Sequence, residues 1–476
     1  MKKGQIVEGF VEKVEFPNKG TVRVVEEGED GKEAVHRVSV KGVLPGQKVR
    51  VSIKKARREL SQGILREILR PSEIECAEAP CPYYGTCGGC SYQNIPYEKQ
   101  LELKKTQVLD LLRPVCEGYS DFQFDGIFPS PVQWEYRNKM EFSFGDEIKD
   151  GPLTLGLHKK GSFHDIVHVS GCRIVHKDFS LILDCVRDYC AEKEIRHYKK
   201  TSHEGVLRHL LVRRAEKTKE LLVALVTSSQ YQEEEMKTCL QDLSARLQAL
   251  PLEGILSGFL HIVNDSLGDV VKSDATQIIY GKDWFIEEIL GLQFRITPFS
   301  FFQTNTKGAE VLYKCARQYL CTDMKESDFQ DKTIFDLYSG TGTIAQILSP
   351  IAGKVIGVEI VEEAAWAATE NAVRNGLHNC EFIAGDVLKV IDELDYRPDY
   401  IVLDPPRDGI HPKALPKIIE FGVPEIVYIS CKPTSLARDL VVFQERGYVV
   451  RRVCCVDMFP QTGHVESICL LHRKDM

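Results

Sequence analysis

The stretch KTIFDLYSGTGTIAQILS, residues 332–349, decides the fold of this chain. Thr333 to Leu337 is a short apolar run, Tyr338 to Gly342 is a glycine-rich turn, and Thr343 to Leu348 returns to helical spacing. Strand, glycine turn and helix in that order open a nucleotide-binding α/β sheet, because Gly340 and Gly342 permit a tight turn and a close approach of ligand to backbone. The unit then repeats. KVIGVEIVEEAAWAATENAVRNG (354–376) is a second strand ending in an acid and followed by a helix, and DYIVLDPPRDG (399–409), EIVYISCKPTSLARDL (425–440) and YVVRRVCCVDMFP (448–460) continue the series. Strands alternating with helices predict a Rossmann-like, doubly wound α/β domain with ligands outside the carboxyl ends of its strands.

Reactive residues stand at those strand ends. Glu359, at the end of the second strand, is placed where a carboxylate takes both hydroxyls of a ribose, a geometry shared by NAD and S-adenosylmethionine enzymes. Asp404 is followed by Pro405 and Pro406, which stiffen the loop that crosses the reaction site. That loop resembles the acidic-Pro-Pro loops of methyltransferases acting on nucleic-acid bases. Cys431 ends the next strand, with Pro433 suited to the first turn of a helix. A thiol at a helix N-terminus beside Lys432 is expected to be partly ionised; a packed thiol is the bland alternative.

A nucleophilic cysteine beside a methyl donor points to C5 of a pyrimidine. That carbon is too poor a nucleophile to take a methyl group directly, whereas thiolate addition at C6 turns the ring into an enolate whose C5 can. A base must then remove the C5 proton so that the thiol is eliminated. Glu466 in MFPQTGHVESICLL, the one carboxylate of an otherwise apolar run, is the candidate base, and His464 the runner-up.

The rest of the 476 residues reads as further domains, since the chain is too long for one core. Residues 1–71 hold four alternating runs (Val7 to Val14, Thr21 to Val25, Ala34 to Val40, Lys48 to Ile53) between Gly, Pro and Asn turns, the pattern of a small OB-like β-barrel. Nine Lys or Arg against two Glu between Lys41 and Arg70 suggest a backbone-binding surface for nucleic acid, despite a net charge of −8. Cys76, Cys81, Cys87 and Cys90 then fall within fifteen residues that have no apolar periodicity, a loop that thiolate ligation to a metal would hold. Spacing leaves zinc and iron–sulfur open, with Cys76 or remote Cys172 as a fourth ligand. Residues 93–113 show helical spacing, and residues 126–290 mix strands and helices, with Arg208, Arg213, Arg214, Lys159 and Lys160 as candidates for a basic groove. Neither a signal peptide nor eighteen consecutive apolar residues is present in the sequence, so a cytoplasmic location is expected.

VLPGQKVRV, CPYYGTCGGC with the later SGC, YRNKMEF, FFQTN, DLYSGTGT, GVE, LDPPR, SCKPTSLARDL and GHVES, in this order, resemble the RNA 5-methyluridine methyltransferases of the RlmD and RlmCD type, which carry an N-terminal TRAM domain. The resemblance implies a TRAM barrel over 1–71, a central iron–sulfur domain from 72–92 and 126–290, and a methyltransferase domain from 93–125 and 291–476. It implies a [4Fe-4S] cluster on Cys81, Cys87, Cys90 and Cys172, with Cys76 outside, and a helix after the cysteine loop packing back on the catalytic domain. S-adenosylmethionine contacts are implied for Gln303, Tyr338, Glu359 and Asp404, with Cys431 as nucleophile and Glu466 as base. The expected substrate is a uridine in 23S rRNA, with tRNA the alternative, and no obligate protein partner is expected. Lys432 and Gln461 depart from the family's usual Asn and His. The rivals are a radical enzyme, whose CxxxCxxC loop is missing from the sequence, a DNA cytosine methyltransferase, and a non-catalytic RNA-binding module.

Overall fold

The computed structural model describes residues 1–27, 33–268, 273–323, 325–393 and 397–474. The N-terminal barrel consists of β1 (Ile6–Glu15), β2 (Lys19–Glu27), β3 (Glu33–Lys41), β4 (Lys48–Lys55) and β5 (Ser61–Arg70), closed in the order β1-β2-β3-β5-β4. Alternate side chains along β1 and β4, such as Val7, Val11, Val49 and Val51, fill its interior. Strand β5 was not resolved as a separate run by the sequence pattern. Its side chains are mostly exposed, so it carries almost no apolar alternation to read.

After the barrel and the cysteine loop comes α1 (Tyr97–Cys116), then β6 (Gln123–Phe128). A seven-stranded sheet follows, made from β7 (Lys139–Gly145), β8 (Thr154–His158), β9 (Ile166–His168), β10 (Leu207–Arg214), β11 (Glu220–Thr227), β12 (Ile255–Val263) and β13 (Ala275–Gly281). Helices α2 (Lys177–Glu192) and α3 (Glu233–Gln248) share its core. The hairpin β14 (Phe285–Ile289) and β15 (Leu292–Ile296) and helix α4 (Thr306–Leu320) lead into the C-terminal domain.

That domain alternates β16 (Thr333–Leu337), α5 (Thr343–Leu348), β17 (Lys354–Glu359), α6 (Glu362–Arg374), β18 (Cys380–Ala384), α7 (Val387–Glu393), β19 (Tyr400–Leu403), α8 (Ala414–Glu420), β20 (Glu425–Ser430) and α9 (Pro433–Glu445), and ends in β21 (Tyr448–Val456) and β22 (Glu466–Arg473). The sheet order is β18-β17-β16-β19-β20-β22-β21-β6. Strands β16 to β20 are parallel, as expected, while β22 runs antiparallel between β20 and β21. The outer strand β6 pairs with β21, so the catalytic sheet takes its edge from a segment reaching Phe128. Helix α1 packs on the same domain: Lys104 Nζ meets Asp457 Oδ1 at 2.6 Å with both side chains fully buried, and Gln444 Nε2 donates to the Val115 carbonyl. Among the described residues no helix is long and apolar enough to cross a membrane.

The three units interlock near the C-terminal edge of this sheet. Phe16, at the β1–β2 turn, is buried in the methyltransferase core with Val465 and packs edge-on against His464. Tyr92 donates to the Pro17 carbonyl. The arginines read as a basic groove do other work. Arg213 is fully buried and its guanidinium donates to the carbonyls of Thr297, Pro298 and Ser300, while Arg208 donates to those of Asn264, Ser266 and Gly268 and lies over Tyr198. Arg214 faces buried Asp178. A buried guanidinium that donates to internal carbonyls is a loop anchor, not a phosphate site. Sequence pattern cannot distinguish the two, because both need an arginine on a strand.

Candidate active site

Parallel register brings the predicted residues to one edge. Leu337 of β16 pairs with Leu403 of β19, and Leu403 with Tyr428 of β20, so Tyr338 and Asp404 leave adjacent strands side by side. Ser430 pairs with Ser467, which sets Cys431 beside Glu466 at the same edge. Tyr338 has φ +69° and donates its backbone N–H to Val358, which starts the turn through Gly340 and Gly342. A side chain on Gly342 would collide with the Phe382 ring at 2.6 Å, so the tight turn requires glycine there. Glu359 closes the turn: its carboxylate accepts from Gly340 N and Val361 N, both at 2.9 Å. Behind it, buried Asp336 accepts from Ala345 N and has its other oxygen unpartnered, as is the buried Ser339 hydroxyl. These orphaned polar atoms beside a glycine cradle fit a bound nucleoside.

Gln303 reaches the same place on the loop that Arg213 anchors. Asn138 Nδ2 donates to the Gln303 carbonyl and to Thr306 Oγ1, and buried Gln303 hydrogen-bonds the Tyr313 hydroxyl, which faces Asp404 and Glu466. Exposed Phe301 lies against Gly340 at the mouth. Phe301 stands in the FFQTN motif, but an aromatic residue in a loop carries no periodic or catalytic signal in sequence.

The electrostatics correct one expectation. Burial pushes the Cys431 thiol up to about 11, and the Glu466 and Asp404 carboxylates add to the shift, so the helix N-terminus does not prevail at rest. The opposing cation is Arg407, which hydrogen-bonds the thiol and favours its ionised form. Lys432 instead points its ammonium at exposed Asp408, 3.6 Å away. Arg407 was visible in DPPR but was given no role, since adjacency in sequence favoured Lys432. Helix α9 holds its loop: Ser435 Oγ donates to the Arg407 carbonyl, Arg438 to the Asp408 carbonyl, and buried Asp439 accepts from Ile410 N and Tyr428 OH.

Burial raises Glu466 to about 8, helped by Asp404, and raises Asp404 to about 7 and Asp336 to about 8. Each carboxyl holds its proton in the fold well above the pH at which it would lose it unfolded. Between about pH 4.5 and 8 the folded state therefore binds more protons, and stability falls as pH rises through that window. Glu466→Gln is expected to raise the melting temperature relative to the parent at pH 8 and to leave it nearly unchanged at pH 5; equal shifts at both values would contradict the buried carboxyl. His464, the runner-up base, is pushed down to about 4 by burial and so is neutral at pH 7.

Gln461 has a structural explanation. Its backbone is left-handed at φ +68°, its carbonyl accepts from Ser91 N and Tyr92 N, and its amide pairs with Gln100 in two hydrogen bonds, Gln100 Nε2 to Oε1 and Gln461 N to Gln100 Oε1. The loop before Glu466 is thus tied to the end of the cysteine loop. Gln461→Ala removes one of three acceptors around Gln100 Nε2, which keeps the Tyr92 and Ile95 carbonyls, and is expected to cost about 0.5–1.5 kcal/mol in urea unfolding; no measurable loss would contradict this pairing.

Cys81, Cys87, Cys90 and Cys172 wall one small cavity with Tyr83, Tyr84 and Gln93, whereas Cys76 is exposed outside it. Burial drives the Cys90 thiol up to about 12, with Cys172, Cys87 and Cys81 all close enough to add to the shift. Among the described residues no three or more His, Cys, Asp or Glu side chains stand where they could hold a metal ion. The donor chemistry still fits a thiophilic centre, since four thiols line one cavity.

A chain from Clostridium tetani described as an uncharacterized RNA methyltransferase is 47% identical over all of this chain and 99% of its own length. One from Caldanaerobacter subterraneus with the same description is 45% identical over the whole of both. The crystal structure of Pyrococcus abyssi tRNA (uracil-54, C5)-methyltransferase with S-adenosyl-L-homocysteine covers 98% of this chain and 99% of its own at TM-score 0.73 and 23% identity, a likeness of fold. With residues 96–474 matched by the family model for tRNA (Uracil-5-)-methyltransferase, around a thiol and a carboxyl placed side by side at the cofactor edge, the chain belongs to the uracil-5-methyltransferase family of RNA methyltransferases.

Proposed function

We propose that this enzyme methylates C5 of a uridine in 23S rRNA, with Cys431 as nucleophile and Glu466 as base. The observation that carries the reading is the β20–β22 register, which sets the thiol beside the buried carboxyl next to Asp404. S-adenosylmethionine supplies the methyl group; Gln303, Tyr338, Glu359 and Asp404 would hold it. Arg407 favours the ionised Cys431, whose sulfur adds to C6 of the uracil and leaves the ring an enolate. C5 takes the methyl group as its bond to the sulfonium sulfur breaks, the electron pair staying on that sulfur and S-adenosylhomocysteine leaving as a neutral thioether. Addition moves the thiolate charge onto the ring and methyl transfer then cancels it, which removes one obstacle to ionising Glu466 in the same pocket. Glu466 then accepts the C5 proton, the C5=C6 double bond re-forms, and sulfur leaves C6 as thiolate.

The four cavity thiols, Cys81, Cys87, Cys90 and Cys172, would hold a [4Fe-4S] cluster, and the chemistry above requires no electrons from it. Anaerobically purified protein is expected to show thiolate-to-iron absorption in the visible range that Cys87→Ser weakens; a colourless protein containing zinc would overturn the cluster. The union of barrel, cysteine loop and catalytic domain supports rRNA through the resemblance carried by the motifs. The description of the matching family favours tRNA as the second reading. Labelled S-adenosylmethionine with unmodified ribosomal or transfer RNA, followed by mapping of the methylated nucleotide, separates them; label in DNA or in no nucleic acid would overturn both. A cytoplasmic location is part of the proposal.

A further inference from the structure

The most exposed large apolar side chain among the described residues is Phe163, 84% exposed in the β8–β9 turn. The turn is well fixed. Lys159 N donates to the Asp165 carbonyl, Ser162 N to the Lys159 carbonyl, His164 N and Asp165 N to Ser162 Oγ, and Lys160 N to the Thr86 carbonyl of the cysteine loop. A rigid turn that holds an aromatic ring in water has no folding advantage, because the ring gains nothing from burial.

The charges around it are equally one-sided. The Lys160 side chain lies against Gly42, just after β3, within 3.5 Å of where a β-carbon there would stand. Beside Gly42, Lys41 is directly opposite Lys19 across β3 and β2, and both are exposed. Like charges facing each other across strands are destabilising. Elsewhere on the barrel Lys13, Lys48, Arg23, Arg37 and Arg50 each have a glutamate partner. Lys19, Lys41, Lys159 and Lys160 form no ion pair among the described residues. The barrel end that carries Lys19 is also the one whose Phe16–Pro17 turn touches Tyr92 and His464, so this junction borders the active-site loop.

We propose that the barrel–hairpin junction is an RNA subsite in which Phe163 stacks on an unpaired base and Lys19, Lys41, Lys159 and Lys160 take the flanking phosphates, outside the target-uridine pocket. It rests on the reading of this protein as an RNA methyltransferase. Stacking on an aromatic face plus a cationic track is how single-stranded nucleic acid is held without sequence readout.

The test is filter binding of bulk unmodified ribosomal RNA over a salt series, alongside steady-state methylation of the same RNA. Phe163→Ala is expected to raise Kd and KM about tenfold with kcat unchanged, and Phe163→Trp to restore both. Lys159→Gln with Lys160→Gln is expected to reduce the log–log salt slope by about 1.4. Unchanged Kd and salt slope in folded variants would overturn the subsite, as would Phe163-dependent binding of polyglutamate tighter than that of RNA. If wild type binds RNA through Phe163 but methylates none, the enzymatic reading fails and the subsite stands; if methylation is intact and indifferent to Phe163, the reverse holds.

Discussion

The Cys431→Ala protein is expected to bind RNA normally and transfer no methyl group to it, a loss of roughly ten-thousandfold or more in turnover. Uracil C5 becomes nucleophilic only after addition at C6, and among the described residues no other side chain at this edge supplies a soft nucleophile. Arg407 and Lys432 are cations, half-buried Asp404 and buried Glu466 are acids, and Cys454 and Cys455 are fully buried in β21, where Cys455 Sγ lies 3.8 Å from Ser467 Oγ. The resting thiol, pushed up to about 11, is protected from adventitious chemistry until RNA enters. Alkylation of Cys431 by iodoacetamide should therefore be slow at pH 7 and accelerate at higher pH, and Arg407→Met should slow it further. Retained methylation by Cys431→Ala would overturn covalent catalysis.

Glu466→Gln is expected to stall after methyl transfer. The amide preserves the shape of the side chain but cannot accept the C5 proton, so the adduct between Cys431 and the 5-methylated ring persists. It should appear as a slowly migrating protein–RNA band on a denaturing gel, carrying label from S-adenosylmethionine, and be absent from the Cys431→Ala/Glu466→Gln double variant. For the parent enzyme, product release from the adduct should speed up as pH rises toward 8, because Glu466 acts only when ionised and burial holds its pKa near that value. Clean turnover by Glu466→Gln would remove its role as base and leave the neutral His464 to be tested in its place.

Much of this could be read from one dimension because it depends on local pattern. The apolar runs and glycine turn of residues 332–349 predict β16 and α5 directly, and the same grammar finds β17, β19 and β20 with their terminal Glu359, Asp404 and Cys431. Barrel strands β1 to β4 declare themselves by alternation, whereas β5 and the mostly exposed β13 do not, since a strand with neither face buried shows no period. Arginine roles were the least legible. Arg213 and Arg208 look like phosphate ligands in sequence, yet each is buried and donates to carbonyls of remote loops.

Residue type and spacing alone determined the fold class, the glycine cradle and which thiol and carboxyl belong to the chemistry, because each depends on interactions within a few residues. Only the tertiary structure decided the electrostatics. The thiol's ionisation is opposed by burial and favoured by Arg407, not adjacent Lys432, and Glu466 reaches neutral-range acidity through enclosure and Asp404. It also decided that Gln461 ties the base's loop to Gln100, which is 361 positions away in the chain. Desolvation and long-range pairing depend on what surrounds a group in space, and neighbours in sequence do not record that.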